Sequence, residues 1–294
     1  MAGVITQFIQ TLIYGLIEGS VISVGAVGLT LSYGVTRFIN FAYGEFLTYG
    51  AYITLFLSGT GIGISLSLPV SVVGAVLLVG VFGVIISRVF FEPLSTRGPI
   101  PLLITSIGVA FILRYSLTAA VGVSARQLPV PLMRPVEFFG VGTTPIRATV
   151  FVVAIATMLL IHILLKYTML GKTMRATSGN RNLAEIAGID TKGVIRRTWF
   201  ISAGAGALAG VLYAILFAPF RPTIGFEYLI VIFAATLLGG IGRPYGAMLG
   251  AIVVGIAMSL GTTYLSAEYT MAYAFAILVG VLLLNPTGIA GSEI

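Results

Sequence analysis

The stretch RFINFAYGEFLTYGAY, residues 37–52, places Arg37, Asn40 and Glu45 inside an otherwise apolar sequence. If the stretch lies in a membrane, Arg37 and Glu45 are unusual, because a charge at the bilayer centre costs at least about 3 kcal/mol on insertion scales. One hypothesis is that Asn40, the flexible Gly44 and Glu45 line or gate a path for a polar solute. The alternative is that Arg37 and Asn40 mark a membrane interface and that Glu45 pairs with Arg37.

Glu18 and Arg114 are the other charges that lie deep inside apolar segments. Each is expected to face the interior of a helix bundle or a wet cavity. A structural ion pair and a pore-lining role are equally compatible with the sequence. A pairing of Glu18 with Arg114 is no more than a guess at this stage.

Few residues are suited to metal or catalytic chemistry. The chain has no Cys, one His and nine acidic residues. The segment LGKTMR, residues 170–175, is similar to part of a phosphate-binding loop, but Lys166 stands where that loop requires its first Gly. We therefore expect no catalytic residue, no metal and no cofactor, and no nucleotide-binding site of the chain's own.

The composition predicts a membrane protein. Of the 294 residues, 58% are hydrophobic and 9% are charged, whereas soluble domains carry about 25% charged residues. Since a spanning helix needs about 20 apolar residues, the sequence predicts about nine spanning or half-spanning helices (eight to ten), in one all-α polytopic bundle over residues 1–294. The nine segments are 4–33, 39–59, 67–91, 101–122, 148–166, 195–219, 226–242, 246–264 and 269–285.

The basic residues predict the orientation of this bundle, because Lys and Arg collect in cytoplasmic loops. The loop 167–197 holds the densest group of them and is expected in the cytoplasm. Alternation of the segments then puts the N-terminus outside and the C-terminus inside. The net charge of +7 is explained by this topology, and no nucleic-acid partner is expected.

Two of the nine segments are weak spans. The segment 39–59 carries Asn40, Gly44, Glu45 and Gly50, and the segment 226–242 is short and opens on Glu227. Interrupted apolar segments in corresponding halves of a transporter often mark broken helices on the substrate path. INFAYGEFL and IGFEYLIVI, from the two segments, are faintly similar and form a candidate internal repeat. The candidate path residues are therefore Asn40, Gly44, Glu45 and Glu227.

The loop 167–197 predicts a short helix over residues 180–187. Ser178 or Asn180 can cap its start, and Gly188 can end it. Leu183, Ile186 and Ala187 form one apolar stripe at helical spacing. Such a helix either lies on lipid or docks into the groove of a partner protein.

Four stretches, in order along the chain, resemble one family. Residues 28–53 resemble the signature region of branched-chain amino-acid ABC importer permeases of the LivH type. Their sequence is GLTLSYGVTRFINFAYGEFLTYGAYI. Other regions of that family resemble MRATSGNRNLAEIAGID at 174–190, RPTIGFEYLIVIFAATLLGGIGRPYGAMLGA at 221–251 and LLLNPTGIAG at 282–291. Each match alone is weak, but together they cover most of the chain beyond residue 10.

The resemblance implies a pathway subunit in the cytoplasmic (inner) membrane that carries branched-chain or related hydrophobic amino acids. Its implied partners are cytoplasmic ATPase subunits, a second permease subunit or a copy of itself, an extracytoplasmic substrate-binding protein and the lipid bilayer. The loop would couple to the ATPase. The residues expected to do so are Arg181, Ala184, Glu185, Gly188 and Ile189.

Three residues depart from the family pattern, namely Glu18, Arg114 and Asn285, which stands where an Arg is usual. They leave open a permease for another small solute, such as urea, an amide or a sugar. A secondary transporter that works alone is the rival class, and uptake driven by an ion gradient without an ATPase distinguishes it.

Overall fold

The computed structural model describes residues 2–59, 65–131, 134, 136–138, 141–284 and 288–289, and this part of the chain is mostly α-helical. The helices are α1 (Ala2–Thr36), α2 (Tyr43–Leu57), α3 (Leu68–Ile86), α4 (Pro99–Val121), α5 (Pro145–Tyr167), α6 (Met169–Gly179), α7 (Arg181–Ile186), α8 (Thr191–Leu216), α9 (Ile224–Gly239), α10 (Pro244–Tyr264) and α11 (Thr270–Leu284).

Seven helical spans in the described part of the chain are long and apolar enough to cross a membrane, and the last of them is α11 together with the 3-10 turn Ala267–Tyr269 that precedes it. The shorter helices α2 and α9, of 15 and 16 residues, stand at the two segments predicted to be weak spans. A helix satisfies its own backbone hydrogen bonds, which lipid cannot do. The predicted all-α polytopic bundle is confirmed.

The loop 167–197 differs from its prediction because it has two helices, α6 and α7, and because its last residues, from Thr191, belong to α8. We call residues 167–197 the elbow. Helix α6 forms in spite of its polar sequence because the Thr168 hydroxyl accepts a hydrogen bond from the Gly171 N–H, at 3.2 Å, and caps its start. Hydropathy alone does not indicate such a polar helix.

Two smaller features were not predicted. Helix α3 continues through a π-helical turn, Ser87–Phe91, and a 3-10 turn, Glu92–Leu94. Strands β1 (Val136–Phe138) and β2 (Val141–Thr143) form an antiparallel pair before α5. Asn285, one of the departures from the family pattern, lies outside the described residues.

The chain divides into two compact units. The first unit comprises Met1–Val27, Val130–Met158 and Ile230–Ile294, and the second comprises Gly28–Pro129 and Leu159–Leu229. In the first unit, α10 packs closely on α1, where the Ser259 hydroxyl donates to the Thr11 carbonyl at 2.8 Å. Small residues permit such close approach of helices in lipid.

The core of the second unit is formed by α2, α3 and α8. A Cβ atom added at Gly50 or Gly210 would overlap the backbone of the facing helix, so α2 and α8 are in backbone contact. Beside this contact, Trp199 packs edge-on against Phe46 and stacks on Phe91, with ring centroids 6.3 and 5.1 Å apart. This rigid core holds α2 in place.

Candidate functional site

The turn between α1 and α2 positions the first candidate residues. Arg37 ends α1 with a left-handed backbone, φ 58°, which redirects the chain. Asn40 is 2% exposed, and its side-chain oxygen accepts a hydrogen bond from the Ala42 N–H at 3.0 Å. Among the described residues, the Asn40 side-chain nitrogen has no hydrogen-bond partner. The turn thus leaves one buried donor available.

The first turns of α2 and α9 cross at two glycines. A Cβ atom at Gly44 would lie 2.6 Å from the Gly225 carbonyl oxygen, and one at Gly225 would overlap the Gly44 carbonyl. The Thr48 hydroxyl accepts a hydrogen bond from the Gly225 N–H at 3.1 Å. We call this contact of Gly44, Thr48 and Gly225 the glycine crossing. It joins the two segments that form the candidate internal repeat.

Glu45 lies beside the glycine crossing and pairs with Arg114 of α4. The Arg114 Nη2 and Nε atoms donate to Glu45 Oε1 at 2.6 and 3.1 Å, and the Glu45 side chain is fully buried. The Arg114 guanidinium also stacks over the Phe226 ring, 4.4 Å from its centroid. Within the described residues, Glu45 Oε2 has no hydrogen-bond partner.

Two suggested pairings are therefore wrong. Arg37 does not pair with Glu45; its Nη2 atom donates to the Ser178 carbonyl in α6 at 2.6 Å. Arg114 is bound by Glu45 rather than by Glu18. In the first unit, Glu18 has Arg147 as its electrostatic partner, and the Arg147 guanidinium lies 4.5 Å from the Tyr14 ring centroid.

Glu227 occupies a different environment from the other candidate path residues. It follows Gly225 by two positions in the first turn of α9, but its side chain is exposed. The structure thus brings Asn40, Gly44 and Glu45 together in the buried start of α2, and places Glu227 on an open face of α9. A carboxylate on the surface of a bilayer-depth helix requires water or a polar partner.

Helix α7 of the elbow is capped at both ends. The Asn180 side chain accepts a hydrogen bond from the Leu183 N–H at 3.1 Å, so Asn180 and not Ser178 is the cap. Gly188 adopts φ 83°. The N–H groups of Gly188 and Ile189 then donate to the carbonyls of Glu185 and Ala184, both at 3.0 Å, in a Schellman arrangement.

The five expected coupling residues do not share one surface. Ala184 is 4% exposed and anchors α7. Glu185 accepts hydrogen bonds from Thr191 at 2.5 Å and from Arg181 at 3.2 Å, and the bond from Thr191 lowers the pKa of the Glu185 carboxyl below its usual value. The apolar side chains on the open face of α7 are Leu183 and Ile186, which are 62% and 83% exposed.

In the part of the chain that the structure describes, no three His, Cys, Asp or Glu side chains come together as a metal site would require. The buried region at the start of α2 holds the Glu45–Arg114 ion pair and the backbone contact of Gly44 with Gly225.

A family model described as "Branched-chain amino acid transport system / permease component" matches residues 11–282 of the chain. The chain belongs to this permease family. The resemblance noted in the sequence is thereby confirmed, and the permease is a multi-pass protein of the cell membrane.

Named relatives agree with this family. The permease is 33% identical over 296 residues to the "High-affinity branched-chain amino acid transport system permease protein LivH" of Salmonella typhimurium, covering 97% of this chain and 96% of the relative. It is 30% identical over 299 residues to BraD of Pseudomonas aeruginosa, a permease described in the same words, with 98% and 97% covered.

A chain in the structure titled "PsaBC from Streptococcus pneumoniae in complex with Fab" has a similar fold, with a TM-score of 0.52 and 16% identity. The match covers 95% of the permease and 92% of that chain. At this identity the likeness concerns the fold alone.

Sequence reasoning missed three features of the permease. Arg114 was recognised as deep but not as the partner of Glu45, although a buried carboxylate demands a cation. Gly225 has no signal of its own, because glycine is common in membrane helices. The Arg37–Ser178 hydrogen bond links residues 141 positions apart, and no local pattern indicates it.

Proposed function

We propose that the permease forms the membrane pathway of an ATP-driven importer for branched-chain or closely related hydrophobic amino acids. The proposal is supported by the family and by relatives that are described as branched-chain amino acid transport proteins over nearly their full lengths. In such an importer two permease subunits form a pair. The pair consists either of two copies of this chain or of this chain and a similar one. A binding protein delivers the solute from outside.

The glycine crossing is the observation that carries the assignment of the path. Two helices too short to cross a bilayer alone begin at one point, with backbone against backbone. Interrupted helices of this kind surround the substrate sites of many transporters. Asn40, Gly44 and Glu45 form the frame of the path, because they are buried, and Glu227 is the residue that meets the solute.

Glu227 suits this role because of its charge and exposure. The open face of α9 would otherwise hold a carboxylate against lipid, which is costly. Placed on a wet path, the carboxylate attracts the ammonium group of an amino acid. The buried Glu45–Arg114 pair, being internally neutralised, fixes the start of α2 relative to α4 and does not compete for the solute.

The elbow is the proposed docking element for the ATPase. It carries the densest basic group of the sequence and is therefore placed in the cytoplasm, which puts the N-terminus outside and the C-terminus inside. The exposed Leu183 and Ile186 supply the apolar contact, and Ala184, Gly188 and Ile189 hold α7 in shape. Arg181 and Glu185 brace α7 through their hydrogen bond.

Arg37 provides a direct connection from the elbow to the path. Its side chain bonds to the last turn of α6, and its backbone forms the turn before Asn40 and α2. A displacement of α6 by the ATPase is thereby passed to the start of α2. Rigid-body movements of packed helices are a common means of such transmission.

The test is ATP-driven uptake of radiolabelled leucine by the complete importer in liposomes. Glu227→Gln is expected to lower the uptake rate, whereas Glu268→Gln, at an exposed acid in the turn before α11, leaves it unchanged. Arg37→Gln is expected to lower uptake more than ATP hydrolysis. Uptake driven by an ion gradient without the ATPase, or equal rates for Glu227→Gln and wild type, would overturn the respective parts of the proposal.

A further inference from the structure

A cavity of about 300 Å³ lies in the second unit and is partly lined by the elbow. Its walls are the last turn of α1, the π and 3-10 turns that follow α3, and parts of α4, α7 and α8. Ligand cavities in proteins begin at about 300 Å³. None of the candidate path residues lines it, so it is separate from the glycine crossing, although Arg181 of the expected coupling residues is in its wall.

The floor of the cavity is aromatic. Phe91 stacks on Phe38 and on Trp199, with ring centroids 5.2 and 5.1 Å apart. All three rings are buried to 3% exposure or less. Val35 and Ile195 add aliphatic surface at the sides. A ligand that enters the cavity therefore places an apolar group against this floor.

The rim of the cavity carries charge of both signs. Arg196 Nη2 donates to Glu92 Oε1 at 2.7 Å, and the two side chains are 35% and 30% exposed. Lys192 is exposed at the same rim and, among the residues that the structure describes, takes part in no ion pair. Lys192 also acts electrostatically on the Glu185 carboxylate of α7. The rim thus offers an exposed ammonium group, a carboxylate and a partly solvated guanidinium.

These three features fit one class of small molecule. A free branched-chain amino acid has a carboxylate, an ammonium group and a compact apolar side chain. We propose that the cavity binds such an amino acid, with its carboxylate at Lys192 and Arg196, its ammonium group at Glu92 and its side chain on the Phe38–Phe91–Trp199 floor. The inference rests on the proposed function for its choice of ligand and for its cytoplasmic position.

The position of the cavity predicts what binding does. A ligand there ties the start of α8, which belongs to the elbow that the ATPase has to move, to the turns after α3. A ligand that prefers one arrangement of these elements shifts the population toward it. Amino acid that accumulates on the cytoplasmic side would thereby slow further import, which is a negative feedback by the transported product.

The experiment uses the complete importer in liposomes that enclose ATP, with and without unlabelled leucine in the lumen. The initial rate of radiolabelled leucine uptake and the rate of ATP hydrolysis are measured together. Wild type is expected to be slowed severalfold by lumenal leucine. Glycine, which lacks the apolar side chain, and 4-methylpentanoate, which lacks the ammonium group, are expected to slow it much less.

Variants test whether the inhibition by lumenal leucine arises in this cavity. Lys192→Gln, and Thr96→Tyr, which reduces the cavity from its exposed side, are expected to lose the inhibition. The inhibition of each variant is expressed relative to its own rate of import into an empty lumen, because Lys192 belongs to the elbow. Lys172→Gln makes the same charge change in the elbow away from the cavity and is expected to remain inhibited. Equal inhibition of Lys192→Gln and wild type overturns the proposal.

Other outcomes are equally decisive. Failure to import into an empty lumen refutes the proposed function, whereas import that lumenal leucine does not slow refutes only this inference. If the rate instead depends through Lys192 on the content of acidic phospholipid, the cavity holds a lipid headgroup and the assignment to an amino acid is wrong.

Discussion

The glycine crossing and the elbow lie in the same unit of the chain but differ in how completely they are packed. At the crossing, Gly44 and Gly225 are in backbone contact and the adjacent Glu45 is fully buried and paired. In the elbow, α7 is held at both ends by local hydrogen bonds, while Ile186 is 83% exposed. The glycine crossing is packed by side chains and backbone of the chain itself, whereas the elbow exposes apolar side chains.

The difference shows that the contacts of the glycine crossing are already made within the permease, whereas the apolar face of α7 remains exposed. Substitutions at the crossing should change the stability of the permease, because they alter contacts already made. Substitutions on the open face of α7 should leave stability unchanged and alter only binding to a partner. Each prediction below tests one side of this contrast.

Arg114→Met is expected to have the largest effect. It leaves the Glu45 carboxylate buried without a cation, and breaking a buried pair on one side costs about 3–5 kcal/mol. The double variant Glu45→Met, Arg114→Met replaces the pair by apolar side chains and is expected to regain most of this loss. Thermal unfolding of the purified permease measures both, and a single variant as stable as wild type contradicts the prediction.

Gly225→Ala is expected to have an intermediate effect. Its Cβ atom meets the Gly44 carbonyl, which belongs to backbone and cannot rotate away, and overpacking of this kind costs about 1–3 kcal/mol. Gly108→Ala is the matched control, since nothing lies within 4 Å of a Cβ atom there. The same thermal assay applies, and equal shifts for the two variants would show that the crossing is loosely packed.

Ile186→Ser is expected to have the smallest effect on stability, within about 0.5 kcal/mol, because the side chain is exposed. Recovery of ATPase subunits with the purified permease is expected to fall, since an apolar contact is lost. Val70→Ser, at a 53% exposed position of α3, is a control for loss of exposed apolar surface elsewhere. Unchanged ATPase recovery with Ile186→Ser would exclude this face of α7 from docking.

The sequence by itself determined the class of the fold and the positions at which some of its helices begin and end. The apolar segments predict nine spanning or half-spanning helices, because lipid requires long apolar stretches with internally bonded backbones. The start of α7 at Asn180 and its end at Gly188 were also predictable, because both depend on side chains and backbone within a few residues.

The tertiary structure alone decided the partners. From the sequence, Arg37 was the candidate cation for Glu45, and Glu18 was the candidate partner of Arg114. In the structure, Glu45 and Arg114 pair with each other across 69 positions. Thr48 and Gly225 meet across 177 positions. Hydropathy and capping are local properties that a sequence displays directly, whereas the choice of facing helices depends on how all the small residues of the bundle pack together.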